Sequence, residues 1–158
     1  MLDIPAALRE PAPLRDPQEP NEDVYLVKPD GLFEDGSPLL TRPGKPSGKL
    51  RARLDVTEDP ADVYRIWIPA NGAATVTVKP TDGANVRLEI WESQTKTVRA
   101  KGAVRRRDLI ASSNEPDDAT ETASVSDTAG IASAVYVHVA LAKGEFDGEY
   151  TLQVRPTA

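Results

Sequence analysis

A chain of 158 residues is long enough for one domain with a real core and too short for two of ordinary size. A formal charge of -6 argues against a nucleic-acid partner, whose phosphates demand concentrated Lys and Arg, and against an anionic membrane; it suits divalent cations or plain solubility. The absence of cysteine excludes disulfides, thiolate zinc sites, iron–sulfur clusters and cysteine nucleophiles together.

The first residues, Met1 to Glu10, contain no basic start followed by an apolar run, so they read as neither a signal peptide nor a membrane span. Nine of the 14 prolines fall in the first 46 residues. Proline at that density removes amide donors and fixes φ, which disfavours long helices and central strands. Residues 1–18 are expected to be a flexible Pro-rich linker. Residues 19–48 have apolar groups enough to dock on a neighbour, but too many turn residues for a core of their own. They are expected to wrap the domain, adding at most one strand.

From Lys49 the apolar period is two. Leu50, Ala52 and Leu54 alternate with Arg51, Arg53 and Asp55, and Tyr64, Ile66 and Ile68 with Val63, Arg65 and Trp67. The pattern repeats in Val76 and Val78, in Val86, Leu88 and Ile90, in Val135, Val137 and Val139, and in Tyr150, Leu152 and Val154. Short strands of this kind, divided at Asn71-Gly72, Asp82-Gly83 and Asp147-Gly148, predict antiparallel hairpins packed into two sheets. No helical period runs for a useful length. Between Gln94 and Gly130 a basic stretch (Lys96 to Arg107) precedes an acidic one (Asn114 to Glu121), and two strands are expected there, near 107–111 and 120–126, joined by a mobile loop. The arginines read either as partners of the acids across adjacent strands or as a binding patch.

No catalytic site is expected. Hydrolytic chemistry needs a nucleophile and a base; the single imidazole, His138, lies mid-strand on the face opposite Val137 and Val139 and is expected to face solvent. No nucleophile elbow, phosphate loop or dinucleotide fingerprint accompanies it.

Several segments together resemble the bacterial pre-peptidase C-terminal domain family, related to the collagen-binding domains of bacterial collagenases. They are the acidic turn and strand Asp59-Pro60-Ala61-Asp62-Val63-Tyr64, the turn Pro69-Ala70-Asn71-Gly72, Val135 to Val139, and Gly148-Glu149-Tyr150-Thr151-Leu152-Gln153-Val154. The resemblance covers about residues 19–156. It implies an all-β fold, an antiparallel β-sandwich of jelly-roll type, here with a Pro-rich N-terminal extension. It further implies a secreted, non-catalytic accessory domain that aids secretion, stability or substrate attachment of a neighbouring catalytic domain. The chain then reads as a monomeric piece of a longer exported protein, or as a reading frame called from an internal start.

Glu19-Pro20-Asn21-Glu22-Asp23 resembles the start of calcium-binding members, in which this motif meets the acidic turn. Calcium takes six to eight oxygen ligands, and Glu19, Asn21, Asp23, Asp59 and Asp62 supply several if the segments meet. Two departures stand out: Pro17 occupies a position where such relatives carry a carboxylate, and a long insertion separates the two halves. Without metal, Asp62 serves as a turn residue.

Burying Tyr64, Ile66, Leu88 and Ile90 turns Trp67 and Trp91 outward, with Tyr136 in the same phase as His138. Two readings follow. The aromatics form a binding surface for collagen-like protein or polysaccharide, or the N-terminal wrap, with Leu26, Leu32, Phe33, Leu39 and Leu40, covers them as a second core.

Overall fold

The computed structural model describes residues 16–81 and 83–157. The Pro-rich stretch 1–15, Asp82 and Ala158 lie outside the described residues, so of the expected linker only residues 16–18 are described.

Eight strands form the domain: β1 (Gly48–Asp55), β2 (Ala61–Ile68), β3 (Ala73–Pro80), β4 (Val86–Trp91), β5 (Leu109–Ser113), β6 (Glu121–Ser126), β7 (Ser133–Leu141) and β8 (Asp147–Thr157). They build two four-stranded antiparallel sheets, ordered β1-β8-β3-β6 and β2-β7-β4-β5. The pairings β1 with β8, β2 with β7, β3 with β6 and β4 with β5 nest inside one another.

The expected hairpins are therefore corrected. Among consecutive strands only β4 and β5 pair; most turns carry the chain across from one sheet to the other. A turn signal fixes where the chain reverses, whereas the pairing partner is chosen by distant strands with matching dry faces. Asp147-Gly148 likewise opens β8, the reversal being made by the preceding residues, where Glu145 N donates to Ala142 O at 3.2 Å. Gly72 is required in its turn: a Cβ there would lie 2.3 Å from Pro69 Cγ.

The alternation places the core as the sequence implies. Ala52, Leu54, Tyr64, Ile66, Ile68, Val76, Val78, Leu88, Ile90, Val137, Leu152 and Val154 fill the space between the sheets. The outer face of β1-β8-β3-β6 stays wet. The outer face of β2-β7-β4-β5 does not: Trp91 is 0% exposed, and with Val63 and Tyr136 it packs under Val24, Leu26, Val27 and Val98. Here the wrap covers the aromatics. Its contribution comes from a one-turn helix, α1 (Val24–Val27), rather than from Leu32 and Phe33, which remain exposed, while Leu40 joins the main core.

The wrap adds no full strand, yet it satisfies the free edge of β2. Val63 N donates to Asn21 O, Leu40 N to Arg65 O, and Trp67 N to Thr41 Oγ1, which returns a bond to Trp67 O. An edge strand with its outward amides taken no longer offers a template for pairing with another chain. A seven-residue helix, α2 (Gly102–Asp108), which the sequence pattern did not reveal, follows the wrap-covered face and leads into β5.

Candidate metal site and a buried ionic network

The β1–β2 connection is an Asx turn. Asp55 Oδ1 accepts from Thr57 N at 2.8 Å and Glu58 N at 3.1 Å, while the main chains of Asp55 and Asp59 bond reciprocally. This tight loop fixes Asp59, and β2 begins at once, carrying Asp62 into the interior, where it is fully buried. The N-terminal segment brings Asp16 and Glu19 to the same place. One carboxylate oxygen from each of Asp16, Glu19, Asp59 and Asp62 lies within 4.8 Å of the others. This cluster of four acidic residues, graded from buried to exposed, is able to hold a metal ion.

Of the five residues the sequence nominated, Glu19, Asp59 and Asp62 meet. Asp23 is a correction: it turns away to organise α1, accepting from Val24 N at 2.7 Å, Val98 N at 3.0 Å and Thr97 Oγ1 at 2.6 Å. Its two oxygens are spent on tying the wrap to the 97–98 loop. Asn21 is fully buried, with its main-chain oxygen on Val63 and both side-chain amide atoms unpartnered. Asp16, missed as part of the linker, supplies the fourth carboxylate; Pro17 had drawn attention to the adjacent, empty position. Because Asp16 also bonds Tyr64, the docked chain begins no later than residue 16, earlier than the boundary at 19.

None of the four carboxylates forms an ion pair among the described residues, and Arg53, which lines the same cavity, is paired with Asp147. Burial first, then Asp59, Glu22 and Asp16, pushes the Glu19 carboxyl up to about 7, and burial with Asp16, Glu22 and Asp55 does the same to Asp59, also about 7. Burial beside Asp16 and Asp59 raises Asp62 well above the usual carboxylate range. Asp59 Oδ1 and Asp62 Oδ1 are buried without a partner, as are Gln18 Oε1 and Glu22 Oε2 on the same N-terminal segment.

A hydroxyl chain closes the site from below. Tyr64 OH contacts Asp16 Oδ2 at 3.2 Å and Tyr150 OH at 2.8 Å, and Tyr150 OH contacts Asp62 Oδ2. Tyr64 donates to Asp16 and Tyr150 to Asp62, and the two phenol oxygens meet between them.

The donor set fits a hard divalent cation. It is all oxygen, with no imidazole or thiolate, and Asp59 Oδ1 and Asp62 Oδ1 have no hydrogen-bond donor among the described residues. A bound ion would ionise Asp62 and join the N-terminal segment to the β1–β2 turn.

A second charged group sits on the other sheet. Glu89 and His138 are directly opposed in the β4–β7 register. His138 is a correction: it is 4% exposed, not solvent-facing. Glu89 Oε2 accepts from His138 Nδ1 at 3.0 Å and Trp91 Nε1 at 3.1 Å, and Glu89 Oε1 accepts from Arg105 Nη2 at 2.8 Å. Arg105 also lies over the Trp91 ring, 5.2 Å from its centroid. Burial pushes the Glu89 carboxyl up, but the bonds from His138 and Arg105 outweigh it and hold it at about 2. With Glu89 ionised, His138 Nδ1 carries the proton it donates. The signal was present in the sequence, since both residues occupy the outward phase of apolar strands, but their pairing required the register.

The cations of the 96–107 stretch do not meet the acids of 114–121 among the described ion pairs; Arg99, Arg105 and Arg107 turn to Asp23, Glu89 and Asp108. Trp91 and Tyr136 are buried and offer no stacking face, which corrects the binding-surface reading for both; Trp67 is half-buried.

The class defined by this geometry is a two-sheet antiparallel sandwich with an acidic site at one end. No protein-family model and no curated protein matches the chain. Among solved structures, it is similar to the pre-peptidase C-terminal domain of a collagenase from Bacillus anthracis, with a TM-score of 0.51 at 16% identity, covering 69% of this chain and 89% of that one. Looser likenesses are a periplasmic inhibitor of g-type lysozyme from Aeromonas hydrophila (TM-score 0.47, 14% identity, 76% of this chain and 94% of that one) and TmCBM61 in complex with β-1,4-galactotriose (0.32, 8%, 72% and 83%). At these identities the likeness establishes the fold.

Proposed function

We propose that this chain is a non-catalytic accessory module of an exported bacterial protein, whose N-terminal segment is stapled to the sandwich by calcium. The observation that carries the reading is the set of buried oxygens of Asp59 and Asp62 that have no hydrogen-bond partner among the described residues and that gather with Asp16 and Glu19 in a cluster of four carboxylates. Asn21 is held in reserve as a neutral oxygen ligand from the same segment; Asp23 belongs to the α1 cap. The non-catalytic part of the reading is supported by His138, whose Nδ1 is committed to Glu89 and whose place is a packed strand face. The partner is a neighbouring domain of a longer exported parent, a reading supported by the likeness in fold to a domain of a collagenase.

The test is thermal unfolding of chelator-stripped protein with calcium added back, beside the Asp59→Ala/Asp62→Ala variant. The wild-type midpoint is expected to rise by several degrees at calcium near 100 times its Kd, about 2.7 kcal/mol, and the double variant to show no rise. An unchanged wild-type midpoint overturns the staple. The accessory role is checked in the parent gene: an exported catalytic domain in the same reading frame supports it, and a stand-alone gene counts against it.

A further inference from the structure

The β1–β2 turn has two faces. Asp55, Glu58 and Asp59 look into the acidic cavity, whereas Val56, Pro60 and Ala61 form a wall of a different one, a cleft of about 690 Å³ on the outer side of β7 and β4. Five cations line this cleft: Arg87 from β4, Arg99 and Lys101 from the loop before α2, Arg105 from α2, and Lys143 from the β7–β8 turn. The acid among its lining residues is Glu145. A smaller cavity of about 320 Å³ shares Arg87, Arg105 and Lys143 and extends the cleft toward β5.

In a chain of formal charge -6, so local an excess of cations reverses the field. Arg87, Lys101 and Lys143 are exposed and make no ion pair among the described residues. Arg105 is different. Glu89 holds one nitrogen and Trp91 holds the plane, so its remaining N–H groups are presented without the entropy cost of ordering a free side chain. His138 lines the cleft too, and with Nδ1 on Glu89 its Nε2 is the ring nitrogen left for a ligand.

The rim adds apolar surface. Phe146 is 76% exposed, and its carbonyl accepts from Val56 N at 2.8 Å, which sets the half-exposed Val56 beside it. The walls beyond are Val98, Ala140 and Leu141.

We propose that this cleft docks an acidic peptide segment of a partner protein, with its carboxylates on Arg87, Lys101, Arg105 and Lys143 and an apolar side chain against Val56 and Phe146. Charge complementarity selects an anionic occupant. The aliphatic wall, with the exposed Phe146 next in sequence to the lining residue Glu145, suits peptide side chains, and the one aromatic ring among the lining residues, His138, is buried edge-on to Glu89 rather than open to stack a sugar or a base.

The test is fluorescence anisotropy with a labelled peptide of repeating Asp-Glu-Leu, titrated in chelator so that the metal site has no part in the result. The parallel probes are the same peptide with Asn-Gln-Leu, oligogalacturonate, and phosphatidylglycerol vesicles. Expected are saturable binding of the acidic peptide, weakening by at least about tenfold as salt rises from about 0.05 M to 0.5 M, loss in Arg87→Glu/Lys143→Glu with the unfolding midpoint retained, and a several-fold loss in Phe146→Ala. Equal binding of the amide peptide, indifference to the charge reversal, no binding at about 1 mM peptide, or binding only of the uronate chain or only of the vesicles would each overturn the proposal.

Discussion

Two groups of carboxylates are sunk into this sandwich, and their environments push them in opposite directions. Glu89 lies on the outer face of β2-β7-β4-β5, with His138, Trp91 and Arg105 donating to its two oxygens, and it is held ionised at about 2. Asp16, Glu19, Asp59 and Asp62 gather at the β1–β2 turn, where none of them forms an ion pair among the described residues, and their carboxyls rise, Glu19 and Asp59 to about 7. Burial opposes ionisation in both places. What differs is whether a described cation sits on the carboxylate. At Glu89 one does, and the group is self-contained, fixing Arg105 and Trp91; at the turn the one arginine described along the cavity, Arg53, is paired with Asp147.

The largest effect should come from breaking the complete group. Glu89→Ala strands the Trp91 indole N–H, the buried His138 and Arg105 together, and is expected to cost about 3–5 kcal/mol in denaturant unfolding; Glu89→Gln, which keeps acceptor and shape, should cost visibly less. Completing the incomplete group comes next, as the calcium-dependent rise. Asp16→Asn should weaken that rise and Asp23→Asn should leave it intact, because only the first sits in the cluster.

The pH dependences sharpen the contrast. Glu19, Asp59 and Asp62 bind protons more tightly folded than unfolded, so their contribution is fully present below the ordinary carboxylate range, near 4; for Glu19 and Asp59 it is lost as pH rises through about 7, and Asp62 acts with the same sign. Metal-free protein is therefore expected to lose midpoint between about pH 4.5 and 7.5, and Asp62→Asn or calcium to flatten that slope. Glu89 has the opposite sign: its contribution is present above the ordinary range and is lost as pH falls toward 2. A midpoint rising with pH in the metal-free protein would break the comparison. Smallest of all, Arg51→Ala removes an exposed 3.1 Å pair with Glu149 and should change stability by less than about 1 kcal/mol.

Much of the architecture was legible because a strand with one dry face announces itself locally. Leu88 and Ile90, Val137 and Val139, Leu152 and Val154 alternate as the core requires, and the acidic turn with its Asp-x-Tyr strand marks where the candidate site lies. Asp16 was hidden by its prolines: a segment unable to form regular structure can still dock, and docking leaves no period. Asp23 was misassigned for the converse reason, since an aspartate before an apolar run satisfies a helix cap as well as a metal, and only Thr97 and Val98, far along the chain, decide between them.

By itself, then, the sequence determined the strands, their buried faces and the turn that carries Asp59 and Asp62, all of which follow from residue type and short-range spacing. The tertiary structure decided which strands pair, that the wrap seals β2 and buries Trp91, that His138 meets Glu89, and that cations scattered from Arg87 to Lys143 converge on one cleft. Those are contacts between distant segments, set by the mutual fit of dry faces and by the register it imposes, and no local pattern encodes them.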